Sequence, residues 1–240
     1  MKWTESYTVN AHDTDINDIV SLTGIMRYIQ DCAHCQMAGE GPSYDKLHSQ
    51  GKAFVISRLA VSIYGKLYAH DKIKASTWAC DSTGVSFNRC YSVERDGKKI
   101  AEASSIWALL DTASGRLIRV SDFPNNYCVD EPLELDMPSH FRLPADVPLA
   151  LVGERTVEYQ DVDINGHMNN TRYGDILCGY LPDMRGLRVI KFSINYCGEA
   201  RLGESLKVYM GRTGDGAYVF RTVREGGKTN VEAEILTEKL

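Results

Sequence analysis

Asp161-Val-Asp-Ile-Asn-Gly-His-Met-Asn-Asn-Thr-Arg-Tyr173 places a dense polar turn directly ahead of an apolar run with helical spacing, Tyr173, Ile176, Leu177 and Tyr180. Asp161, Asp163, Asn165, His167, Asn169 and Asn170 fall within ten residues. Asn169 or Asn170 is the expected N-cap, and N–H groups in the first helical turn would face a developing negative charge. An imidazole, a carboxylate and a carboxamide on one turn can move protons and hold water. The plainer alternative is an Asn/Asp/Gly turn that only caps a helix. The rest of the chain decides between the two.

The scheme around this turn occurs twice. Residues 3–9 read as a strand, 10–18 as a polar turn, and Leu22, Ile25, Met26, Ile29, Cys32 and Ala33 as a helix that gives out at Gly39-Glu-Gly-Pro42. Strands follow at Phe54–Tyr64, Lys72–Cys80, Val85–Arg95 and Ile100–Asp111, with a hairpin turn at Arg95-Asp-Gly-Lys98. Residues 121–150 hold five of the seven prolines (Pro124, Pro132, Pro138, Pro144, Pro148) and read as a linker crossing a surface. Beyond it the order returns: a strand near Thr156–Tyr159, the polar turn, a helix ending before Pro182, and strands at Leu187–Cys197, Ser205–Arg212, Ala217–Glu225 and Lys228–Glu238.

Residue-level echoes support an internal repeat. Asp15-Ile-Asn17 matches Asp163-Ile-Asn165, Asp71-Lys-Ile-Lys74 matches Glu204-Ser-Leu-Lys207, and Gly97-Lys98 with Glu102-Ala103 matches Gly227-Lys228 with Glu232-Ala233. The copies differ where chemistry would sit: Ile19 occupies the place of His167, and Lys66 that of Glu199. A duplicated fold with one stripped site implies that the second half reacts while the first shapes a pocket.

Composition narrows the classes. A chain of 240 residues that is 43% hydrophobic can bury an ordinary core. The formal net charge of −5 and the lack of a basic stripe interleaved with aromatics argue against a nucleic-acid partner. No apolar run is long enough to span a bilayer, and Met1-Lys-Trp-Thr-Glu-Ser-Tyr7 has no signal-peptide character, so a cytoplasmic location is expected. Seven scattered cysteines fit a reducing compartment rather than a disulfide framework. Cys32-Ala-His-Cys35 has metal-ligand spacing but no second pair downstream, so no metal and no cofactor is expected.

At this point the chain resembles the acyl-acyl carrier protein thioesterases of the plant and bacterial type, built from two tandem hot-dog domains. The resemblance rests on Asp163-x-Asn-x-His-Met-Asn-Asn-x-x-Tyr173, Ala53-Phe-Val-Ile-Ser-Arg58, Thr77-Trp78, Gly84, Ser104-Ser-Ile-Trp107 and Tyr196-x-x-Glu199. It implies an α+β double hot-dog, each domain a curved antiparallel sheet wrapped around a long helix. The expected division is an N-terminal domain at 1–120 that shapes the acyl pocket, a Pro-rich linker at 121–150 and a catalytic C-terminal domain at 151–240. It also implies hydrolysis of a fatty acyl thioester on acyl carrier protein, with Asp163, Asn165, His167 and Glu199 as the catalytic set.

Where many members of that family carry a cysteine after the glutamate, this chain has Ala200, so a cysteine nucleophile is unavailable at that position. The expected chemistry is direct attack by water. Glu199 is the base, His167 and Asn165 position the water or the carbonyl, Asp163 orients the turn or an imidazole tautomer, and the backbone N–H groups of Met168, Asn169 and Asn170 form the oxyanion hole. The acyl tail is expected between helix and sheet against Met26, Ile29, Phe54, Ile56 and Trp107. Arg172, Arg185, Arg188 and Lys191 are the candidate contacts for the acidic carrier protein.

Three alternatives stand beside this one. An acyl-CoA thioesterase of the same fold would need a site for the CoA phosphates, and no basic cluster or glycine-rich loop supplies one. A hydratase of the same fold has a different Asp–His spacing. A non-catalytic acyl-thioester sensor would carry a DNA-binding module. Either a monomer or a homodimer is compatible with a duplicated chain.

Overall fold

The computed structural model describes residues 2–123, 127, 129–137 and 140–240. In chain order the elements are β1 (Trp3–Thr8), α1 (Leu22–Glu40), α2 (Tyr44–Ser49), β2 (Lys52–Ile63), β3 (Lys72–Ala79), β4 (Phe87–Arg95), β5 (Lys98–Asp111), β6 (Leu117–Ile118), β7 (Ala150–Thr156), α3 (Arg172–Cys178), β8 (Leu187–Tyr196), β9 (Ser205–Arg212), β10 (Tyr218–Arg224) and β11 (Thr229–Lys239).

The strands form one sheet in the order β1, β3, β4, β5, β2, β8, β11, β10, β9, β7, with β6 attached to β5. Outward from the central β2–β8 pair, each side repeats the same connectivity, β2-β5-β4-β3-β1 on one and β8-β11-β10-β9-β7 on the other. An approximate two-fold axis therefore passes through the antiparallel β2–β8 pair, where Val61 faces Phe192 and Leu59 faces Ile194. Val61 and Phe192 are fully buried and Ile194 nearly so. Burial of each such side chain stabilises the seam between the halves by about 2 kcal/mol. This arrangement is the double hot-dog.

The first half wraps a 19-residue helix. Ser21 caps it, its hydroxyl accepting from the Gly24 N–H at 3.0 Å. Leu22, Ile25, Met26, Ile29, Cys32 and Ala33 recur every three or four residues and are all buried.

The second half departs from expectation at its helix. α3 has seven residues, not the long helix anticipated for each domain. The apolar spacing covers only two turns, and Gly179 and Pro182 end it. α3 also packs closely on α1: a Cβ on Gly174 would lie 2.7 Å from Thr23 Oγ1, and Thr23 Oγ1 donates to Thr171 O at 3.1 Å.

The strand expected near Thr156–Tyr159 lies earlier, at Ala150–Thr156, because residues 159–161 turn instead, with the Glu158 N–H donating to Asp161 Oδ2 at 2.9 Å. Two short elements were unforeseen, α2 and β6. Within the expected linker Pro124 and Pro138 lie outside the described residues. The described part crosses the sheet: Trp78 Nε1 donates to Glu131 O at 2.9 Å, Asn195 Nδ2 donates to Phe141 O at 2.9 Å, and the Phe141 ring is buried. Among the described residues no helix is long and apolar enough to cross a membrane.

Candidate active site

The polar turn 161–170 is a narrow loop closed by Val162 pairing with Met168 and clipped to the segment after β8 by His167 pairing with Arg201. Asp163 shapes it: its N–H donates to His167 O at 3.0 Å and its Oδ1 accepts the Asn165 N–H at 2.9 Å. Gly166 at φ +73° takes the left-handed backbone the turn requires. Asp161 anchors the loop from below. It is 2% exposed, ion-paired with Arg155, and 3.7 Å from Arg172.

The first copy has the same construction. The Asp15 N–H donates to Ile19 O at 2.8 Å, Asp15 Oδ1 accepts the Asn17 N–H at 2.8 Å, and Asp18 takes the left-handed place of Gly166. The Val20 N–H donates to Leu67 O at 2.8 Å, as the Met168 N–H does to Ala200 O at 2.8 Å. These bonds put Ile19 in register with His167 and Lys66 with Glu199. The Asn17 amide is consumed in joining the halves, donating to Met184 O and Leu187 O and accepting from the Gly186 N–H.

In the second copy the polar groups converge. His167 Nε2 lies 3.2 Å from Glu199 Oε2, with the imidazole 27% and the carboxylate 50% exposed. Asn165 Oδ1 accepts from Tyr44 Oη at 2.7 Å, a contact across 121 residues that brings α2 of the first half onto the turn. Tyr44 escaped the sequence reading. The signal was Pro42-Ser43, where Ser43 caps α2 by accepting the Lys46 N–H.

Asn230 was missed as well. It is fully buried in β11, donates to Gly198 O at 2.5 Å, and its own carbonyl accepts the N–H groups of Cys197 and Gly198. It thereby holds the bend that presents Glu199.

The expected oxyanion hole is altered. The N–H groups of Met168 and Asn169 are spent on Ala200 O and Asp161 O, both at 2.8 Å, because they close the loop. Of the three, only the Asn170 N–H makes no protein hydrogen bond among the described residues. The helix is capped differently too: Thr171 is the N-cap residue, and Asn169 Oδ1 accepts the Thr171 N–H and hydroxyl at 2.9 and 2.8 Å.

Cys197 is exposed, three residues before the buried Ala200. Desolvation pushes its thiol above the ordinary range, which disfavours the thiolate.

A cavity of about 260 Å³ opens beside the turn. Tyr44 lines it together with Ala33, Met37, Phe54, Phe87 and Trp107. Two of the five expected tail contacts, Phe54 and Trp107, are therefore in its wall. Met26, Ile29 and Ile56 instead line, again with Trp107, a slit of about 20 Å³ that reaches Asn170 and Thr171. Asp163, Asn165, His167 and Glu199 do not line the cavity, and Tyr44 connects the two. The far wall is polar, with Asn88 and Arg89. The Arg89 guanidinium donates to Gln36 Oε1 and to Thr77 Oγ1.

Of the expected docking cations, Arg172 is engaged by Asp161 and Asp175, Arg188 by Glu238, and Lys191 by Asp136. Arg185 is the most exposed of the four, 3.6 Å from Asp183. Among the described residues no cluster of three or more His, Cys, Asp or Glu side chains could hold a metal ion.

Solved structures share this architecture. An acyl-ACP thioesterase from Bacteroides thetaiotaomicron superposes with a TM-score of 0.89 at 22% identity, covering 99% of this chain and 98% of that one. The 12:0-ACP thioesterase from Umbellularia californica superposes with a TM-score of 0.79 at 16% identity, covering 100% and 98%.

Among curated proteins, the chloroplastic palmitoyl-acyl carrier protein thioesterase of Cuphea hookeriana is 22% identical over 224 residues, 84% of this chain and 53% of that protein. The chloroplastic oleoyl-acyl carrier protein thioesterase 2 of Arabidopsis thaliana is 26% identical over 200 residues, 70% of this chain and 51% of that protein. The chain thus spans about half the length of the curated relatives it matches. Residues 1–126 match the acyl-ACP thioesterase N-terminal domain and residues 150–239 the acyl-ACP thioesterase C-terminal domain. By these two matches, in order and along most of its length, the chain belongs to the acyl-ACP thioesterase family.

Proposed function

We propose that this protein hydrolyses fatty acyl thioesters of acyl carrier protein, releasing the free fatty acid and the carrier's thiol. The observation that carries the reading is the His167–Glu199 pair, 3.2 Å apart, its imidazole on a turn joined through Asn165 and Tyr44 to a largely apolar cavity.

The acyl chain lies in the cavity of the first half. A dry 150 Å³ cavity accommodates the six carbons of benzene, so 260 Å³ corresponds to roughly ten carbons. The thioester carbonyl sits at the Tyr44 end. Water oxygen attacks that carbon while the Glu199 carboxylate takes its proton, and His167, 3.2 Å from Glu199, holds the water and the carboxylate in line. Charge developing on the carbonyl oxygen meets the Asn165 amide, turned by Tyr44 so that its NH2 is free to donate, and the Asn170 N–H. The C–S bond then breaks. A thiol of pKa about 8.5 leaves readily and recovers the proton, so strong acid assistance is unnecessary.

In this reading residues 1–120 supply the tail pocket, 121–150 link the halves, and 151–240 supply the reacting groups. The six described cysteines are all free thiols, which suits a reducing cytoplasm.

The test is thiol release from acyl carrier protein thioesters across chain lengths from about C8 to about C18, beside the matching CoA esters. Faster turnover of carrier-protein esters, greatest at about C10, supports the reading. Preference for CoA esters would make it an acyl-CoA thioesterase, and binding without hydrolysis would make it a sensor.

A further inference from the structure

The two-fold that relates the halves carries the His167–Glu199 turn onto the turn of Ile19 and Lys66, and a cavity stands there too. It measures about 230 Å³ and opens between the first-copy turn and the second half. Ile19, Leu22, Ile25 and Leu67 line it from one side, Cys178 of α3 and Met184 from the other. The turn is built as the reacting turn is, with its chemistry removed, but Ile19 and Lys66 lie in this cavity's wall, whereas His167 and Glu199 do not line the larger one. An isoleucine replaces the imidazole, and an ammonium replaces the carboxylate.

The charges around this cavity are unequal in their commitments. Asp15 Oδ1 accepts the Asn17 N–H, and Asp175 lies 3.8 Å from Arg172. Arg188 is held by Glu238 and by the carbonyls of Gly65 and Tyr64. Lys66, partly buried in the wall, makes no hydrogen bond or ion pair with any described residue. An uncommitted cation on an apolar cavity is suited to an amphipathic anion: burying the ammonium is costly until a counter-charge arrives, and the walls reward an alkyl chain.

We propose that this second cavity is a non-catalytic binding site for a medium-chain fatty carboxylate, with Lys66 pairing the carboxylate and the tail lying between Ile25 and Cys178. By the same comparison with benzene, 230 Å³ takes roughly nine carbons. A thioester bound here would meet neither the imidazole nor the carboxylate of the second copy, because Ile19 and Lys66 stand in their places. The occupant has the chemistry of the product in the proposed reaction, and only that link rests on the proposed function. The cavity and its cation stand without it.

The experiment is calorimetric titration of the full chain with decanoate, for wild type, Lys66→Glu, which places the second-copy residue here, and the milder Lys66→Gln. Wild type is expected to bind two decanoates per chain, one in each cavity. Lys66→Glu is expected to bind one, and Lys66→Gln to bind its second about tenfold more weakly. Decanol, which has no carboxylate, should titrate all three proteins alike. Unliganded melting curves identify any variant whose fold is disturbed. Decanoate binding whose stoichiometry and affinity are unchanged in both Lys66 variants overturns the proposal, whereas a single wild-type decanoate lost in Lys66→Glu supports it. Lys66-dependent binding in a protein that hydrolyses no thioester would leave the site standing and remove the hydrolase reading. Hydrolysis with Lys66-independent binding would do the reverse.

Discussion

His167 Nε2 stands 3.2 Å from Glu199 Oε2, although the imidazole comes from the turn before α3 and the carboxylate from the bend after β8. Two backbone clamps fix this approach: the Met168 N–H to Ala200 O on one side, and Asn230 on Gly198 on the other. At the related position of the first half Ile19 and Lys66 share the same clamp without any such pair. In the proposed mechanism water attacks directly and no acyl-enzyme forms. Cys197→Ser should keep near wild-type turnover, and mass spectrometry of protein quenched during turnover should show no acyl adduct. An adduct on Cys197 would contradict this.

In the proposed mechanism Tyr44 positions Asn165 and does not react. Tyr44→Phe removes one hydroxyl, worth about 1 kcal/mol, so kcat should fall about fivefold with little change in KM or melting temperature. Steady-state kinetics on one acyl carrier protein ester checks it. A raised KM at full kcat would show that Tyr44 only lines the cavity.

Phe54, Phe87 and Phe123 meet edge to face, with centroids 5.1–5.8 Å apart, and the first two line the cavity proposed for the acyl chain. Phe87→Ala should move the preferred chain to longer acyl groups and lower stability by about 3 kcal/mol. A chain-length profile and a denaturant titration measure both. An unchanged profile would place the tail elsewhere.

Glu204 braces the bend that carries Glu199. Its carboxylate accepts Arg224 Nε at 2.6 Å and the Arg201 N–H at 3.1 Å. Burial raises its pKa, but these hydrogen bonds outweigh burial and hold it below the usual glutamate range. A carboxyl depressed on folding contributes stability that is complete above its unfolded pKa and fades as pH falls through the folded one. Glu204→Gln should therefore cost about 2 kcal/mol at neutral pH and flatten the loss of stability on acidification. Melting temperatures between about pH 7 and about pH 3 test this. An acid limb as steep as that of wild type would assign the bracing elsewhere.

Much of the fold is legible locally. The hairpin at Asp96-Gly97, the helical spacing from Leu22 to Ala33 and the twin Asp-Ile-Asn turns all signal through near neighbours. β7 is less so, since it is a half-exposed edge strand whose burial pattern shows no clean alternation. α2 is six residues long, too short for a period to register, and lies behind glycine and proline punctuation. α3 reads as longer than it is because Tyr180 continues the apolar spacing beyond the helix.

At the site, membership of the polar set is visible in one motif plus the repeat. The use of the backbone is not. Met168 and Asn169 follow the histidine as oxyanion donors should, but their N–H groups are committed to Ala200 O in the segment after β8 and to Asp161 O across the loop. The Tyr44 contact spans 121 residues, and no local pattern encodes it.

The most direct test of the account is the turnover number of Glu199→Gln on an acyl carrier protein thioester that wild type hydrolyses. The amide keeps the size of the carboxylate and its contact with His167 but cannot accept a proton from water. The account predicts a fall in kcat of about 10²- to 10⁴-fold with KM little changed. A variant that keeps wild-type kcat would contradict the assignment of Glu199 as the base.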